Sequence, residues 1–238
     1  MRVDRRQPIK DERGEISKGK EGKHREQPSG AHLLENSLNF VYISFRTGGV
    51  SIALPPKEVR MTIRFEMNED KAIEVLTWLA NEQPGIGAFH VSKVLYYADK
   101  EHLNRYGRPV LGDTYIRMEF GPVPSKTYDL IKKEKLKLSV LKKFREAVDV
   151  RGGFRHLHPL RAPDMQMLSR TDLECLTNAL KKYGTRDFGV LSRISHRETA
   201  WAEAPENGPM DYEHMIEQGP NQKEIIQNLK EHSHQIAF

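Results

Sequence analysis

The sequence predicts a mainly α domain of the α+β kind, a helical bundle with a small β-hairpin or sheet, preceded by a poorly ordered N-terminal extension. Three observations predict it. Apolar residues recur at helical spacing from Asn68 onward, the alternating segments are short and bounded by Gly or Pro, and residues 1–30 mix charges of both signs with few hydrophobes. A hydrophobic content of 37 % against 30 % charged, with a mean hydropathy of −0.67, agrees that part of the 238-residue chain has no core of its own. The expected division is an extension at 1–66, a helical domain at 67–232 and a frayed tail at 233–238.

Each element follows from local pattern. Residues 38–54 alternate around Gly48-Gly49 and read as a hairpin ended by Pro55-Pro56. Met61 and Met67 stand just before the first patterned helix, which favours a start codon there over an accessory module at residues 1–60. Asn68 is the expected N-cap, Glu69 and Asp70 suit the positive end of the helix dipole, and Ala72, Ile73, Leu76, Leu79 and Ala80 form the stripe that Pro84-Gly85 ends. Phe89 to Tyr106 is the second helix, with Val91, Val94, Leu95, Ala98 and His102 in line, Tyr97 and Leu103 beside them, and Gly107 as the left-handed stop before Pro109. Thr114–Glu119 alternates as a short strand. Gly121-Pro122-Val123-Pro124 reads as a fixed turn, because each proline locks its own φ, and Pro124 opens a helix with Tyr128 and Ile131 on one face. Leu136–Val150 and Phe154–Leu157 read as extended around a Gly152-Gly153 hairpin turn. Thr171-Asp172-Leu173-Glu174 reads as a capping box for a helix ending at Gly184. Asp187–Glu198 is a further helix with Phe188, Leu191 and Ile194 inward, and Asp211–Glu217 and Gln222–Lys230 are short helices.

The residue inventory points to binding more than to reaction. Cys175 is the one cysteine, which excludes an intrachain disulfide and Cys-rich zinc sites and fits a reducing compartment; in LECLTNAL it reads as a small buried hydrophobe. No apolar run approaches membrane-span length, and the mixed charges of the first residues with no apolar region directly after them do not read as a secretory signal, so a soluble cytoplasmic protein without a membrane partner is expected. The net charge of +5 and pI of about 9.2 permit nucleic-acid binding without requiring it. Asp99 and His102 share a helix face, and Ser195-His196 could complete a Ser/His/Asp set, but no nucleophile elbow surrounds Ser195. Asp99 reads better as a carboxylate accepting backbone N–H groups from the Gly107 or Gly121 turn. His156 and His158 share a strand face but lack a third ligand, so neither metal nor cofactor is expected. The lysines between Lys132 and Lys143 read as a solvated face, and residues 173–197 are a poor helix-turn-helix because the connecting turn is too long. Trp201 and Tyr212 serve equally as core lid or interface anchor, with Trp201 taken first as a lid.

Three blocks resemble the Panacea domain family, described as SocA-like antitoxins and phage-associated proteins: KVLYYADKEHLNRYGRPVLGDTY at 93–115, GPVPSKTYDLIK at 121–132, and LSRISHRETAWAEA at 191–204 followed by MDYEHMIEQG. The likeness spans residues 67–220, and the extension at 1–66 departs from it. The resemblance implies a bacterial antitoxin that neutralises a cognate toxin, encoded by the adjacent gene, through direct binding and without a catalytic centre. It also implies two alternatives, an adaptor delivering the toxin to a AAA+ protease and a DNA-binding autoregulator. Its motif positions here are Tyr96, Asp99, His102, Tyr106, Gly107, Gly121, Pro122, Tyr128, Ser195, His196 and Trp201, assigned to the framework or to the toxin-binding surface. The start-codon reading is checked by mass spectrometry of the native protein. A mass lacking the residues ahead of Met61 or Met67 is expected, and the mass of all 238 residues rejects it.

Overall fold

A computed structural model describes residues 62–236, all within the compact unit Val59–Phe238. The hairpin expected at 38–54 and most of the extension lie outside the described residues. The domain is mainly helical with two small antiparallel sheets, as the sequence predicts.

Helix α1 (Glu69–Glu82) runs through the middle of the domain. Asn68 caps it, accepting from the N–H groups of Asp70 and Lys71, and every residue from Lys71 to Ala80 is buried. The apolar stripe therefore understates its burial: Glu74 also goes inside, held bidentately by Arg161 at 2.5 and 2.7 Å. Helix α2 (Ala88–Tyr106) follows after the short strand β1 (Ile86–Gly87) and ends at Gly107, whose φ of 73° is the left-handed conformation expected.

Two segments form a different class of element from the one expected. Gly121–Pro124 is strand β3, paired antiparallel with β2 (Tyr115–Met118) in the register Tyr115–Pro124, Ile116–Val123, Arg117–Pro122 and Met118–Gly121. Proline has no N–H for a ladder, but both prolines sit opposite residues whose backbone groups point the other way. Arg117 N–H donates to Gly208 O, Arg117 O accepts from Asn207, and Tyr115 O accepts from Met210. The second departure is Leu138–Ala147, expected to be extended, which is helix α4. Val140, Phe144 and Ala147 lie at i, i+4 and i+7 and are buried, so a helical period was present beneath the lysines.

The hairpin around Gly152-Gly153 forms as expected, from β4 (Val148–Arg151) and β5 (His156–Pro159), and β1 joins it in the order β1-β5-β4. Between β3 and α4, helix α3 (Ser125–Lys132) begins at Pro124, which supplies no side-chain cap. Asp113 caps it from outside, its Oδ1 accepting from Lys126 N–H at 3.1 Å and its Oδ2 from Thr127 N–H at 2.7 Å.

Helix α5 (Arg170–Tyr183) packs along α2. Its capping box is Ser169 with Asp172, two residues earlier than expected. Thr171 is freed for another task, described below. Helix α6 (Phe188–Ser195) is the helix expected at 187–198, ending three residues early, and α7 (Thr199–Ala202) follows it; Phe188 is exposed, not inward, while Leu191 is buried. Residues 211–217 hold a 3-10 turn, Tyr212–Met215, and α8 (Gln222–His232) follows. The segment expected to fray starts with a 3-10 turn, Ser233–Gln235, and the buried Ser233 accepts from Arg64 N–H, so the two ends of the described chain meet.

A ladder of aromatic rings ties these layers together: Phe65, Tyr212, Tyr115, Tyr96, Tyr97 and Tyr183 touch in sequence at centroid distances of 4.8, 6.3, 5.3, 5.1 and 4.0 Å. The helical assignment of 138–147 is checked by two substitutions. Phe144→Ala should destabilise by about 3–5 kcal/mol, as expected for emptying a core aromatic site. Leu138→Ala, at a position 81 % exposed, should change stability by less than about 0.5 kcal/mol. Equal effects in urea titration would contradict α4.

Candidate functional site: a clasped hairpin and its apolar cleft

The motif positions gather into three groups around α2 and the β2–β3 hairpin. The first is a carboxylate cage. Asp99 is fully buried; its Oδ1 accepts from Val110 N–H at 2.9 Å and Leu111 N–H at 3.0 Å, and its Oδ2 accepts from Gly112 N–H at 3.3 Å and the Tyr115 hydroxyl at 3.0 Å. The donor loop is the one following Gly107, one of the two expected. Burial pushes the Asp99 carboxyl up to about 6, and the four donors only partly oppose this. Tyr96, buried against Tyr115, closes the cage.

The second group is a buried charge network. His102 Nδ1 lies 2.6 Å from Arg108 O, which makes Nδ1–H the donor, and its Nε2 lies 2.9 Å from the Thr171 hydroxyl. Burial holds the imidazole below its usual value, so the neutral form fits this pattern. Asp172 meets Lys71 at 2.8 Å, with both side chains buried. Burial pushes the Asp172 carboxyl up, but the bond and charge of Lys71 outweigh it and hold it below the usual range. Tyr106 packs beside His102 at 4.7 Å and donates its hydroxyl to Glu174 on the exposed side.

The third group is a clasp. Gly121 has a φ of 102°, and a Cβ there would lie 2.2 Å from Ser195 Oγ, so only glycine lets α6 approach β3 this closely. Ser195 donates to Ser192 O within its own helix. His196 Nε2 lies 3.0 Å from Glu119 O, and the ring stacks on Trp201 at 3.9 Å. Trp201 donates its indole N–H to Met118 O at 3.1 Å and lies under the Arg117 guanidinium at 4.4 Å. The block at 191–204 thus grips the tip of the hairpin that joins the other two blocks. The Ser/His/Asp set does not assemble: Ser195 Oγ is spent on its own helix, His196 faces a backbone carbonyl, and Asp99 holds a loop.

Above these groups opens a cleft of about 470 Å³, bounded by α2, the hairpin, α3 and the β4–β5 turn. Phe89, Ile116, Met118, Phe120, Val123, Tyr128 and Phe154 give it apolar walls. Phe120 and Phe188 are each 46 % exposed and Phe154 is 83 % exposed. Phe188 adjoins the wall, 4.3 Å from Phe89 and 5.1 Å from Phe120. Of the motif residues, Gly121 and Tyr128 line the cleft. Pro122 reaches it through its carbonyl, which accepts from Lys93 Nζ at 3.1 Å.

Sequence reasoning missed Lys93, Asp113, Phe120 and Phe154. Lys93 had a signal, a lone cation inside the apolar run from Val91 to Ala98, whereas Phe120 and Phe154 are single exposed aromatics with no pattern to betray them. His156 Nδ1 meets Gly85 O at 2.8 Å, and no group of three His, Cys, Asp or Glu that could hold a metal ion exists among the described residues. Cys175 is buried, and burial pushes its thiol up to about 12. No helix of the described residues is long and apolar enough to cross a membrane.

Asp99→Ala should lower stability by about 3 kcal/mol or more, since it strands four buried donors; an unchanged melting temperature contradicts the cage. Its titration gives a signed check. With the folded pKa raised from 3.8 to about 6, Asp99 contributes stability that is full below about pH 4 and is lost as pH rises through 6. Relative to Asp99→Asn, which cannot titrate, the wild type should lose roughly 2 kcal/mol between pH 4 and pH 6.5 in denaturant titrations.

Residues 91–202 match the family described as antitoxin SocA-like, Panacea domain, a span holding most of α2, all of α3 to α7 and all eleven motif positions. Neither curated proteins nor solved structures gave a match. Over residues 91–202 the chain carries a match to the Panacea domain, antitoxin SocA-like.

Proposed function

We propose that this chain is an antitoxin-type binding module whose cleft takes hold of a cognate toxin, encoded by the adjacent gene. The observation that carries the reading is the cluster of exposed aromatics, Phe120, Phe154 and Phe188, around a concave apolar cleft. Large apolar side chains left in water around a cleft are the usual mark of a partner site. The cage, charge network and clasp beneath hold the hairpin fixed, which reduces the ordering cost of binding. On this reading Tyr96, Asp99, His102, Gly107, Gly121, Pro122 and Ser195 are framework, His196 and Trp201 hold the hairpin tip, and Tyr128 belongs to the binding surface.

Family membership supports a toxin as the partner. The cleft itself would form the centre of an interface on the order of 1,600 Å² in total. The DNA-binding alternative draws less support from the basic run. Lys132 is paired with Asp129 and Glu134 at 3.0 Å each, and Lys143 with Asp70 at 2.8 Å.

Co-expression with the product of the adjacent gene tests the reading. That product should arrest growth alone and be neutralised by the wild-type chain. Phe120→Asp should weaken toxin binding by about thirtyfold or more, in line with loss of a hot-spot aromatic. Leu138→Asp, outside the cleft, should neutralise normally. A harmless neighbour rejects the antitoxin reading, and full rescue by Phe120→Asp rejects the cleft as its site. Toxin levels in rescued cells separate occlusion from delivery to a protease: bound toxin accumulates in the first case and disappears in the second.

A further inference from the structure

The domain buries two lysines and treats them differently. Lys71 sits 2.8 Å from the Asp172 carboxylate. Lys93, 1 % exposed at the floor of the cleft, has no carboxylate within ion-pair distance among the described residues. Its ammonium donates to Pro122 O at 3.1 Å and lies 4.6 Å from the centre of the Phe89 ring. An ammonium has three donors, and one carbonyl with one ring face leaves it short of partners. A buried cation without a counter-ion is costly, and a methionine of similar shape would fill the site at less cost. Burial alone lowers the Lys93 pKa to about 7, with no neighbouring charge to support the cation.

The rest of the cleft has matching chemistry. Lys132, Lys135 and Arg155 stand on its lining, whose one carboxylate, Asp129, is already held by Lys132 at 3.0 Å. The lining is therefore apolar and net positive, with a cation at its base.

We propose that Lys93 is a carboxylate-binding subsite: the bound toxin inserts an Asp or Glu side chain, flanked by large apolar residues, and its carboxylate pairs with the Lys93 ammonium beneath Phe89 and Gly121. A side chain, not a chain terminus, fits because terminal carboxylates are captured by nests of backbone N–H groups, whereas the group offered here is one side-chain ammonium at the base of the cleft. The subsite rests on the antitoxin reading for the identity of its occupant. It would also explain why Gly121 is kept small, since a Cβ there would stand 3.0 Å from Lys93 Cε as well as against Ser195.

The test uses the full chain, Lys93→Met, and Lys142→Met as a control outside the cleft. Lys93→Met keeps the apolar stem, so its melting temperature should equal or exceed that of the wild type. Against the adjacent gene's product, Lys93→Met should raise Kd by at least about tenfold and Lys142→Met should not. Unchanged affinity for Lys93→Met overturns the subsite while leaving the antitoxin reading intact. If the wild type binds no toxin, the antitoxin reading fails, and a second arm decides the subsite separately. That arm titrates 2-naphthylacetate and its neutral analogue 2-naphthylacetamide. The wild type should prefer the carboxylate by about tenfold and Lys93→Met should show no preference. Equal affinity for the two, or binding of neither, overturns the subsite.

Discussion

The Asp99 carboxylate gathers Val110, Leu111, Gly112 and Tyr115 at one point, and the hairpin's placement depends on it. Three backbone N–H groups fix the loop leaving α2, and the Tyr115 hydroxyl fixes the first residue of β2. From there the register with β3 sets where Gly121 meets Ser195 and where the Pro122 carbonyl meets Lys93. One buried charge on a helix thus positions a loop, a strand and the base of a cleft. Four donors satisfy that carboxylate, which is what makes its burial tolerable.

The hairpin is held from two other sides. Asp113 caps α3 in place of the cap that Pro124 cannot supply, so the chain entering β2 also begins the helix that follows β3. The Trp201 indole and the His196 imidazole each meet a backbone carbonyl at the hairpin tip, groups that a two-stranded ribbon leaves open. Trp201 is a clamp as well as the core lid its sequence context suggested: its partly buried ring packs against the core while its indole N–H holds the hairpin tip.

Much of this fold was legible because its signals are local. Asn68, Gly107 and the Gly152-Gly153 turn act through their own backbone, and α1, α2 and α5 carry apolar stripes dense enough to show their period. The misreadings share a cause, which is that the deciding partner lies far away in sequence. Gly121–Pro124 reads as a turn until residues 207–210 take up the opposite edge of β2, leaving prolines where no N–H is needed. Residues 138–147 read as extended because lysines interrupt the pattern, and only burial of Phe144 beside α1 selects the helix. The Thr171 reading failed because two overlapping boxes were available, and His102 claims the Thr171 hydroxyl. The site was legible as a set of residues but not as an arrangement. Asp99, Gly121 and Trp201 were singled out, while the exposed walls, Phe120 and Phe154, carry no pattern that distinguishes them from ordinary surface residues.

The central claim is that a rigid framework presents the hairpin-lined cleft to a partner. Hydrogen–deuterium exchange of the full chain, with and without the toxin, tests it most directly. The account predicts new protection in residues 116–123, 128–135 and 153–155, with the slowly exchanging amides of the 110–112 loop unchanged. Protection confined to α8 or to the face of α5 away from α2, with the cleft segments exchanging as before, would contradict it.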